Sequence, residues 1–260
     1  MSEPVQLGQV TCDFMNPREF AALCQRWITG QTFRHIVTLN PEMIMLAEQN
    51  SSFRSAVAGA DIRVPDGAGL VWARWYLRSR YWPLFPSLLA FLWQPVERVT
   101  GVDAVLELAR LCESCGQLLY LLGGANVHRE RTAAVLRHVF PKLAVATSPD
   151  DAKALTDITR RQPAVLLVAY GAPKQTIWIE QRREQLAGTV RMAIGVGGAF
   201  AMLSEDLPRA PQFLQRRNLE WLWRFYLEPK RAPRIWQATV SFPILIHRQK
   251  KERNDSLRLI

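Results

Sequence analysis

A single carboxylate, Asp66, follows a short apolar segment and stands directly before the run Gly67-Ala68-Gly69. Such small residues leave the backbone bare, so a substrate could approach this side chain closely. A carboxylate in this setting can act as a general base that takes the proton of an attacking hydroxyl group. Partial burial would raise its pKa and make it a better base. Capping of the following helix is the competing interpretation, because aspartate is also a preferred N-cap residue.

Four further apolar segments end in glycines or small polar side chains. A glycine end lets a phosphate or a sugar approach the backbone, and the helix N-terminus that follows favours anions. A single glycine end indicates no more than a tight turn between a strand and a helix. With the end at Asp66 there are five such ends, and together with this carboxylate they favour a binding site. The candidates are Thr38 and Asn40, Gly123 and Gly124, Gly171 to Gln175, and Gly195, Gly197 and Gly198.

Arginines alternate with aromatic residues from Arg217 to Arg234, in the run RNLEWLWRFYLEPKRAPR. Core packing does not require guanidinium groups beside tryptophans, whereas an anionic, partly apolar ligand does. The chain has a net charge of +10, of which +8 falls between Arg209 and Ile260, where twelve Lys/Arg stand against four Asp/Glu. A nearly neutral body with a basic end predicts contact with phosphates, anionic lipid or nucleic acid.

Several common types of site lack their motifs in this sequence. The dinucleotide fingerprint GxGxxG after a first strand, the NTPase loop GxxxxGK[ST], the hydrolase motif GxSxG and the metal-binding DxD are all absent. Cys112 and Cys115 form a lone CxxC without a second ligand pair, which favours two partly buried thiols on one helix over a zinc site. We therefore expect neither a metal nor a cofactor.

Apolar segments and helical patterns alternate along most of the chain. Strands are predicted at 33–39, 62–65, 118–124, 164–171 and 190–198. Continuous apolar strands separated by helices predict an α/β fold, with a Rossmann-like parallel sheet covered by helices on both faces.

The pattern changes after Pro208, where no strand follows and the helical segments are basic, amphipathic and interrupted at Pro229 and Pro233. Proline interrupts a helix because it lacks the backbone N–H and clashes with the preceding turn. We therefore expect a catalytic domain at residues 1–205 and a helical appendage that binds membrane or diphosphate at residues 206–260.

Eight segments, in this order along the chain, resemble the WecG/TagA/CpsF glycosyltransferases, a family of membrane-associated bacterial enzymes. They are TLNPEM (38–43), DGAG (66–69), RVTGVD (98–103), LLGGAN (121–126), GAPKQ (171–175), GVGGAF (195–200), RAP (209–211) and the arginine-rich run at 220–234. The resemblance implies a Rossmann-like core and a C-terminal appendage that packs over the active site at the membrane. It also implies metal-independent, inverting transfer of a sugar from a UDP-sugar to a lipid-linked acceptor, typically undecaprenyl diphosphate carrying one sugar.

The resemblance assigns roles to individual residues. The family's catalytic aspartate and its nearby threonine fall on Asp66 and Thr38, and its substrate-pocket arginine and glutamine fall on Arg98 and Gln175. Arginines proposed to hold the diphosphate fall on Arg224, Arg231 and Arg234. Their spacings of seven and three would place them on one helical face, provided that the helix continues through Pro233.

Two positions depart from the family's pattern. Thr176 stands where a glutamate is usual, and Ala201 stands where an aspartate is frequent. Both are expected near the nucleotide-sugar pocket, so they bear on which donor is used. Glucose, N-acetylmannosamine and its uronic acid all occur as donors in the family, and we favour a neutral hexose transferred in exopolysaccharide or cell-envelope polysaccharide synthesis.

We expect the protein at the cytoplasmic face of the bacterial inner membrane, bound peripherally. No apolar run reaches the about 20 residues that span a bilayer. The basic segment 241–253, together with Trp236 and Phe242, is the expected anchor. The expected partners are thus a UDP-sugar, a lipid-linked sugar and the membrane surface, and a homo-oligomer is compatible with the sequence.

Two other classes of protein remain as alternatives. The first is a basic nucleic-acid-binding protein, although no nucleic-acid-binding module is recognisable in the sequence and we expect no nucleic-acid partner. The second is a nucleotide-sugar-binding homologue without catalysis, which Thr176 and Ala201 favour and the retained Thr38 and Asp66 oppose.

Overall fold

The computed structural model of the chain describes residues 3–79, 82–94, 99–148, 151–204 and 210–258. Within these ranges the strands are β1 (Val5–Leu7), β2 (Val10–Cys12), β3 (Arg34–Leu39), β4 (Ile62–Pro65), β5 (Leu118–Leu122), β6 (Ala144–Ser148), β7 (Val165–Val168) and β8 (Met192–Gly195). β1 and β2 form an antiparallel hairpin. The other six form one parallel sheet in the order β4-β3-β8-β7-β5-β6.

Helices cover both faces of this sheet. In the first half of the chain they are α1 (Pro17–Thr29), α2 (Pro41–Gln49), α3 (Ser51–Gly59), α4 (Ala68–Arg78), α5 (Leu84–Phe91), α6 (Gly101–Ser114) and α7 (Asn126–Val139). In the second half they are α8 (Asp151–Arg161), α9 (Lys174–Gln181), α10 (Arg183–Ala187), α11 (Ala199–Leu203), α12 (Gln212–Arg216), α13 (Glu220–Leu227), α14 (Ala232–Trp236) and α15 (Phe242–Arg258). The predicted α/β fold with a Rossmann-like parallel sheet is confirmed, and each predicted strand overlaps one of the six.

The local sequence explains where the helices begin. Asn16 and Asn40 each cap a helix whose first residue is a proline, a position where the missing N–H costs nothing. The Asn16 side chain accepts a hydrogen bond from the backbone N–H of Glu19, and the Glu19 carboxylate accepts one from the backbone N–H of Asn16. This reciprocal capping box fixes the start of α1.

Apolar clusters pack on both faces of the sheet. Ile36 points into the cluster that also holds Phe20 of α1, whereas its neighbour Val37 points into the cluster that holds Trp72 of α4. Successive side chains of a strand alternate between the two faces. Because both faces are covered, most strand residues are apolar, and the strands do not alternate regularly between apolar and polar residues.

The last helix, α15, packs against the α/β body. Phe242 and Ile246 are fully buried beside Trp72, and Lys250, at the same spacing of four residues, places its ammonium group 3.9 Å from the ring centroid of Tyr76. These three residues form one stripe along the helix. The expectation that Phe242 contacts the membrane surface is therefore wrong, because its side chain is fully buried beside Trp72. The boundary between 205 and 206 lies outside the described residues, so the division into two domains stays a prediction.

A network of charged side chains lies at the opposite end of β3 from Thr38 and Asn40. The Nδ1 atom of His35 lies 2.9 Å from a carboxylate oxygen of Glu180, and Arg183 contacts both Glu180 and Asp61. Burial lowers the pKa of His35, while hydrogen bonds from His35 and Arg183 lower the pKa of Glu180 against the effect of its burial. The imidazole is therefore neutral and donates from Nδ1 to an ionised carboxylate. This arrangement ties α9 to β3.

Candidate active site

A cavity of about 810 Å³ opens at the carboxyl ends of β3, β4, β7 and β8. In parallel α/β sheets, ligands bind in the crevice outside the carboxyl ends of the strands. Polar groups at these strand ends line the cavity, and they include Thr38, Asn40, Asp66, Gln175 and Gly197. An apolar wall comes from α4, α5, α13 and the start of α15, with Trp72, Leu88, Leu89, Phe91, Leu92, Trp221, Trp223, Leu227 and Phe242. Glu228 and Arg234, from the segment between α13 and α15, add charged lining. The cavity therefore suits a ligand that has both polar and apolar parts.

Asp66 lies in the polar part of this cavity and is half-buried. Its backbone N–H donates to the carbonyl of Leu39, which joins the ends of β4 and β3. A methyl group placed on Gly101 would lie 3.7 Å from Oδ2 of Asp66, so the carboxylate is beside the first turn of α6.

Gly67, and not Asp66, occupies the N-cap position of α4. Its φ of 110° is a conformation that residues with a Cβ rarely adopt, and a Cβ there would meet no atom within 4 Å. The backbone beside Asp66 is thus held in a conformation that requires glycine and leaves open space. Asp66 therefore does not occupy the N-cap position that the competing interpretation gave it.

Thr38 lies on the strand next to Asp66 and is almost completely buried. Its hydroxyl group donates to the carbonyl oxygen of Gly195 at 3.0 Å, which links β3 to β8. Because the hydroxyl proton is committed to that carbonyl, the oxygen lone pairs are what Thr38 offers to the cavity. The structure therefore brings the two predicted catalytic residues to the same end of neighbouring strands.

Gln175 connects the loops that follow β7 and β8. Its Oε1 atom accepts hydrogen bonds from the backbone N–H groups of Gly171 at 3.1 Å and Gly197 at 3.0 Å. A methyl group on Gly195 would lie 2.5 Å from Nε2 of Gln175, so only glycine fits at that position. Gln175 is buried, and its contacts hold the backbone of the glycine loop at the cavity wall.

The remaining predicted residues at strand ends divide into two groups. Asn40 lines the cavity and uses Oδ1 to cap α2, accepting from the N–H of Met43 at 2.9 Å, and Gly198 lines the cavity beside Gly197. Gly123 and Gly124 do not line it, because β7 lies between their strand, β5, and β8. The ring of Tyr170 packs against Gly123. The geometry gives the glycine pair at 123–124 no part in this cavity.

Arg234 is the predicted diphosphate ligand whose side chain the structure describes, and it is exposed and lines the cavity that Asp66 also lines. Arg98 lies outside the described residues, as do the side chains of Arg224 and Arg231. The single helical face expected for Arg224, Arg231 and Arg234 is not formed. α13 ends at Leu227, residues Pro229–Arg231 form a 3-10 turn, and α14 starts at Ala232. Pro233 falls in the first turn of α14, where proline is tolerated, so the interruption comes at Glu228 and Pro229.

Neither departure from the family's pattern faces the cavity. Thr176 is 1% exposed on α9 and Ala201 is on α11, and both are absent from the lining, although the neighbouring Gln175 and Met202 belong to it. The part of the apolar wall that comes from α5 was not predicted. The part that comes from α13 lies in the run from Arg217 to Arg234, for which an anionic, partly apolar ligand was predicted.

Cys112 is fully buried on α6, and Cys115 caps the end of that helix. Burial raises the pKa of the Cys112 thiol to about 12, so it is protonated at neutral pH and is not a reactive thiolate. Across the described part of the chain, no three His, Cys, Asp or Glu side chains come together in a way that could bind a metal ion. Among the same residues, no helix has both the length and the apolar character to cross a bilayer.

Comparisons with known proteins give a consistent result. The family model described as "Glycosyl transferase WecG/TagA/CpsF family" matches residues 5–256. A relative from Bacillus spizizenii, named N-acetylglucosaminyldiphosphoundecaprenol N-acetyl-beta-D-mannosaminyltransferase, is 28% identical over 214 residues, which cover 80% of this chain and 75% of the relative. A relative of the same name from Staphylococcus aureus is 27% identical over 223 residues, covering 84% of this chain and 80% of the relative.

Proposed function

Because the chain belongs to the WecG/TagA/CpsF family of glycosyltransferases, we propose that it moves a hexose from a UDP-sugar to a sugar carried on undecaprenyl diphosphate, with inversion at the anomeric carbon. The names of the two relatives support this acceptor class and make N-acetylmannosamine the first donor sugar to test, with its uronic acid and glucose as the other candidates. The observation that carries the proposal is that Asp66 and Arg234 line one cavity, which also has an extended apolar wall.

The proposed reaction is one in-line displacement. The acceptor hydroxyl attacks the anomeric carbon from the face opposite UDP, a new glycosidic C–O bond forms, and the bond between the anomeric carbon and the diphosphate oxygen breaks. Asp66 takes the proton of the attacking hydroxyl, because it is the carboxylate at the strand ends beside open backbone. Thr38 and the loop held by Gln175 position the transferred sugar.

The departing UDP gains negative charge on its terminal phosphate, which Arg234 is placed to neutralise. A guanidinium group donates two parallel hydrogen bonds to phosphate oxygens, and such charge-assisted bonds are the strong ones. Arg234 lines the cavity from α14 and is exposed, so it can reach a diphosphate there. We propose that this arginine, with Arg224 and Arg231 in the same predicted role, replaces a divalent metal, while Arg98 keeps its predicted place in the substrate pocket.

The apolar wall gives the lipid of the acceptor a place to lie. Trp221 and Trp223 of α13 and Leu88 and Leu89 of α5 extend the cavity away from the strand ends. The first isoprene units of the acceptor would be covered here, while its sugar reaches Asp66 at the strand ends. We therefore propose that residues 206–260 complete the acceptor site on a body formed by residues 1–205, and that the protein works peripherally at the cytoplasmic face of the membrane.

A donor and acceptor screen tests the proposal. Purified protein is incubated with UDP-sugars, one at a time, and with an N-acetylglucosamine linked through diphosphate to a short, water-soluble prenyl chain. We expect one hexose to be added, released UDP in equal amount, and an anomeric configuration in the product opposite to that of the donor by NMR. UDP-sugar hydrolysis without transfer, or transfer with retention, would contradict the mechanism.

A further inference from the structure

The outer face of α5 is apolar and unusually exposed. Phe85 is 75% exposed, Leu89 is 65% exposed and Trp93, just beyond the helix, is 69% exposed. The segment 82–94, WPLFPSLLAFLWQ, contains no charged residue. A helix that is apolar on every side is normally buried in a protein core or in a membrane. α5 is buried on one side only, so its outer face lacks a partner within the described chain.

Hydrogen bonds attach α5 to its neighbours, although its outer face is exposed. The indole N–H of Trp72 donates to the hydroxyl of Ser87 at 3.3 Å, which attaches the inner side of α5 to α4. The side-chain amide of Asn218 donates to the carbonyls of Phe91 at 3.2 Å and Gln94 at 3.1 Å, which attaches the end of α5 to the segment before α13. The exposed apolar face is therefore fixed in orientation.

A second exposed apolar face adjoins it. Trp221, Leu222, Phe225 and Tyr226 of α13 are all at least 40% exposed. Leu89 of α5 and Trp221 of α13 line the same cavity, so the two helices form neighbouring parts of its rim. We call these outward side chains of α5 and α13, with Trp82 and Trp93, the rim surface. An apolar area of this kind, rimmed by polar residues, marks an interaction site.

We propose that the rim surface is the part of the protein that enters the membrane interface, with the outer face of α5 inserted among the lipid headgroups and acyl chains. Charge and composition favour anionic lipid as the partner of the rim surface. The guanidinium group of Arg217 lies 3.6 Å from the ring centroid of Trp93, and the chain from Arg209 to Ile260 has a net charge of +8. Tryptophan beside basic residues is typical of an interface with anionic lipid. A second copy of the same chain would bring like charges together.

The assignment to lipid also rests on the proposed function, since a lipid-linked acceptor would enter the cavity between α5 and α13 directly from the bilayer. It differs from the anchor expected from the sequence, which was the segment 241–253. Phe242 and Lys250 of that segment are buried against α4, so the apolar stripe of α15 is not available to the membrane.

Phe85→Glu tests the inference, because Phe85 is exposed and does not line the cavity. The matched control is Val139→Glu, which makes the same charge change at a residue 51% exposed on α7. Both full-length variants are measured by co-sedimentation with phosphatidylcholine vesicles, with and without phosphatidylglycerol. Thermal unfolding followed by circular dichroism shows whether each variant is folded. Turnover is measured without vesicles on the short-chain acceptor.

We expect Phe85→Glu to weaken binding to anionic vesicles about tenfold or more, since it replaces a lipid-buried aromatic with a charge. Val139→Glu should bind within about twofold of the unaltered protein, and turnover on the soluble acceptor should be the same for all three. Equal vesicle binding by the two variants would overturn the inference, as would a change of oligomeric state in Phe85→Glu alone. If the unaltered protein transfers no sugar while the difference in vesicle binding persists, the proposed function fails and the membrane surface stands.

Discussion

The Oε1 atom of Gln175 accepts a hydrogen bond from the backbone N–H of Gly197 at 3.0 Å, and this contact fixes the loop that follows β8 at the cavity wall. The same oxygen accepts from the N–H of Gly171. One buried side chain thus sets the positions of two glycine loops that end neighbouring strands. Glutamine suits this role because its carbonyl oxygen has two lone pairs.

Gln175→Leu should therefore lower both stability and activity. Two backbone N–H groups lose their acceptor, and each buried, unsatisfied group costs about 1–3 kcal/mol. Displacement of the loop should reduce kcat/KM for the UDP-sugar by up to about 100-fold. Gln175→Glu keeps both acceptors and should recover most of the loss. Urea unfolding and steady-state kinetics measure the two effects, and equal behaviour of the two variants would show that the hydrogen bonds do not position the loop.

Thr38→Val removes the hydroxyl that donates to Gly195 at 3.0 Å while conserving the shape of the side chain. Loss of this bond should lower the free energy of unfolding by about 1 kcal/mol. If the hydroxyl oxygen also contacts the substrate, kcat should fall further than in a variant of similar stability, and Thr38→Ser should restore it. A Thr38→Val enzyme with lower stability but unchanged kcat would limit Thr38 to a structural role.

Arg234→Gln removes a guanidinium group from the cavity. A hydrogen bond to a charged group is worth about 1.5–3 kcal/mol, so kcat/KM should fall by about 10- to 150-fold. Arg18→Gln on α1, an exposed arginine that does not line the cavity, makes the same charge change and should have no effect. The activity of the unaltered enzyme should persist in EDTA. Strict dependence on added Mg²⁺ or Mn²⁺ would contradict the role given to the arginines.

The His35–Glu180 pair predicts how stability depends on pH. Burial lowers the pKa of His35 below its ordinary value of 6.5, so the unfolded chain takes up this proton first as the pH falls. Stability should be full above about pH 6.5 and decrease below it. Glu180, whose pKa is lowered from 4.5, adds a second loss below about pH 4.5.

Urea unfolding midpoints measured across this pH range test the prediction. The control is His35→Gln, which cannot be protonated at this position and should lose the decrease that begins near pH 6.5. A midpoint in the unaltered protein that stays constant between pH 7 and pH 5 would show that His35 is not held neutral.

Much of the polar half of the site follows from the sequence. Thr38, Asp66 and Gly197 were predicted because each lies at or just beyond the carboxyl end of an apolar strand, and parallel strands bring these ends to one edge. Gly123 and Gly124 follow the same pattern but lie away from the cavity. The order of strands in a sheet is set by long-range pairing, which the local sequence does not report, and here β7 separates β5 from β8.

The apolar half was harder to predict. Phe242, Ile246 and Lys250 repeat at helical spacing, but the pattern does not say whether the stripe faces lipid or protein. It faces protein. The segment at 82–94 carries no periodic pattern, because its residues are apolar on every side, and only its packing on α4 shows which face is exposed.

The turnover of Asp66→Asn tests the central claim most directly. The substitution keeps the size of the side chain and removes its ability to accept the acceptor's proton. The control is Glu107→Gln, which makes the same change of charge at a carboxylate that pairs with Arg110 on α6. We predict a decrease in kcat of about 10²–10⁴-fold for Asp66→Asn, with an unchanged unfolding midpoint, and no decrease for Glu107→Gln. Turnover of Asp66→Asn close to that of the unaltered enzyme would contradict the account.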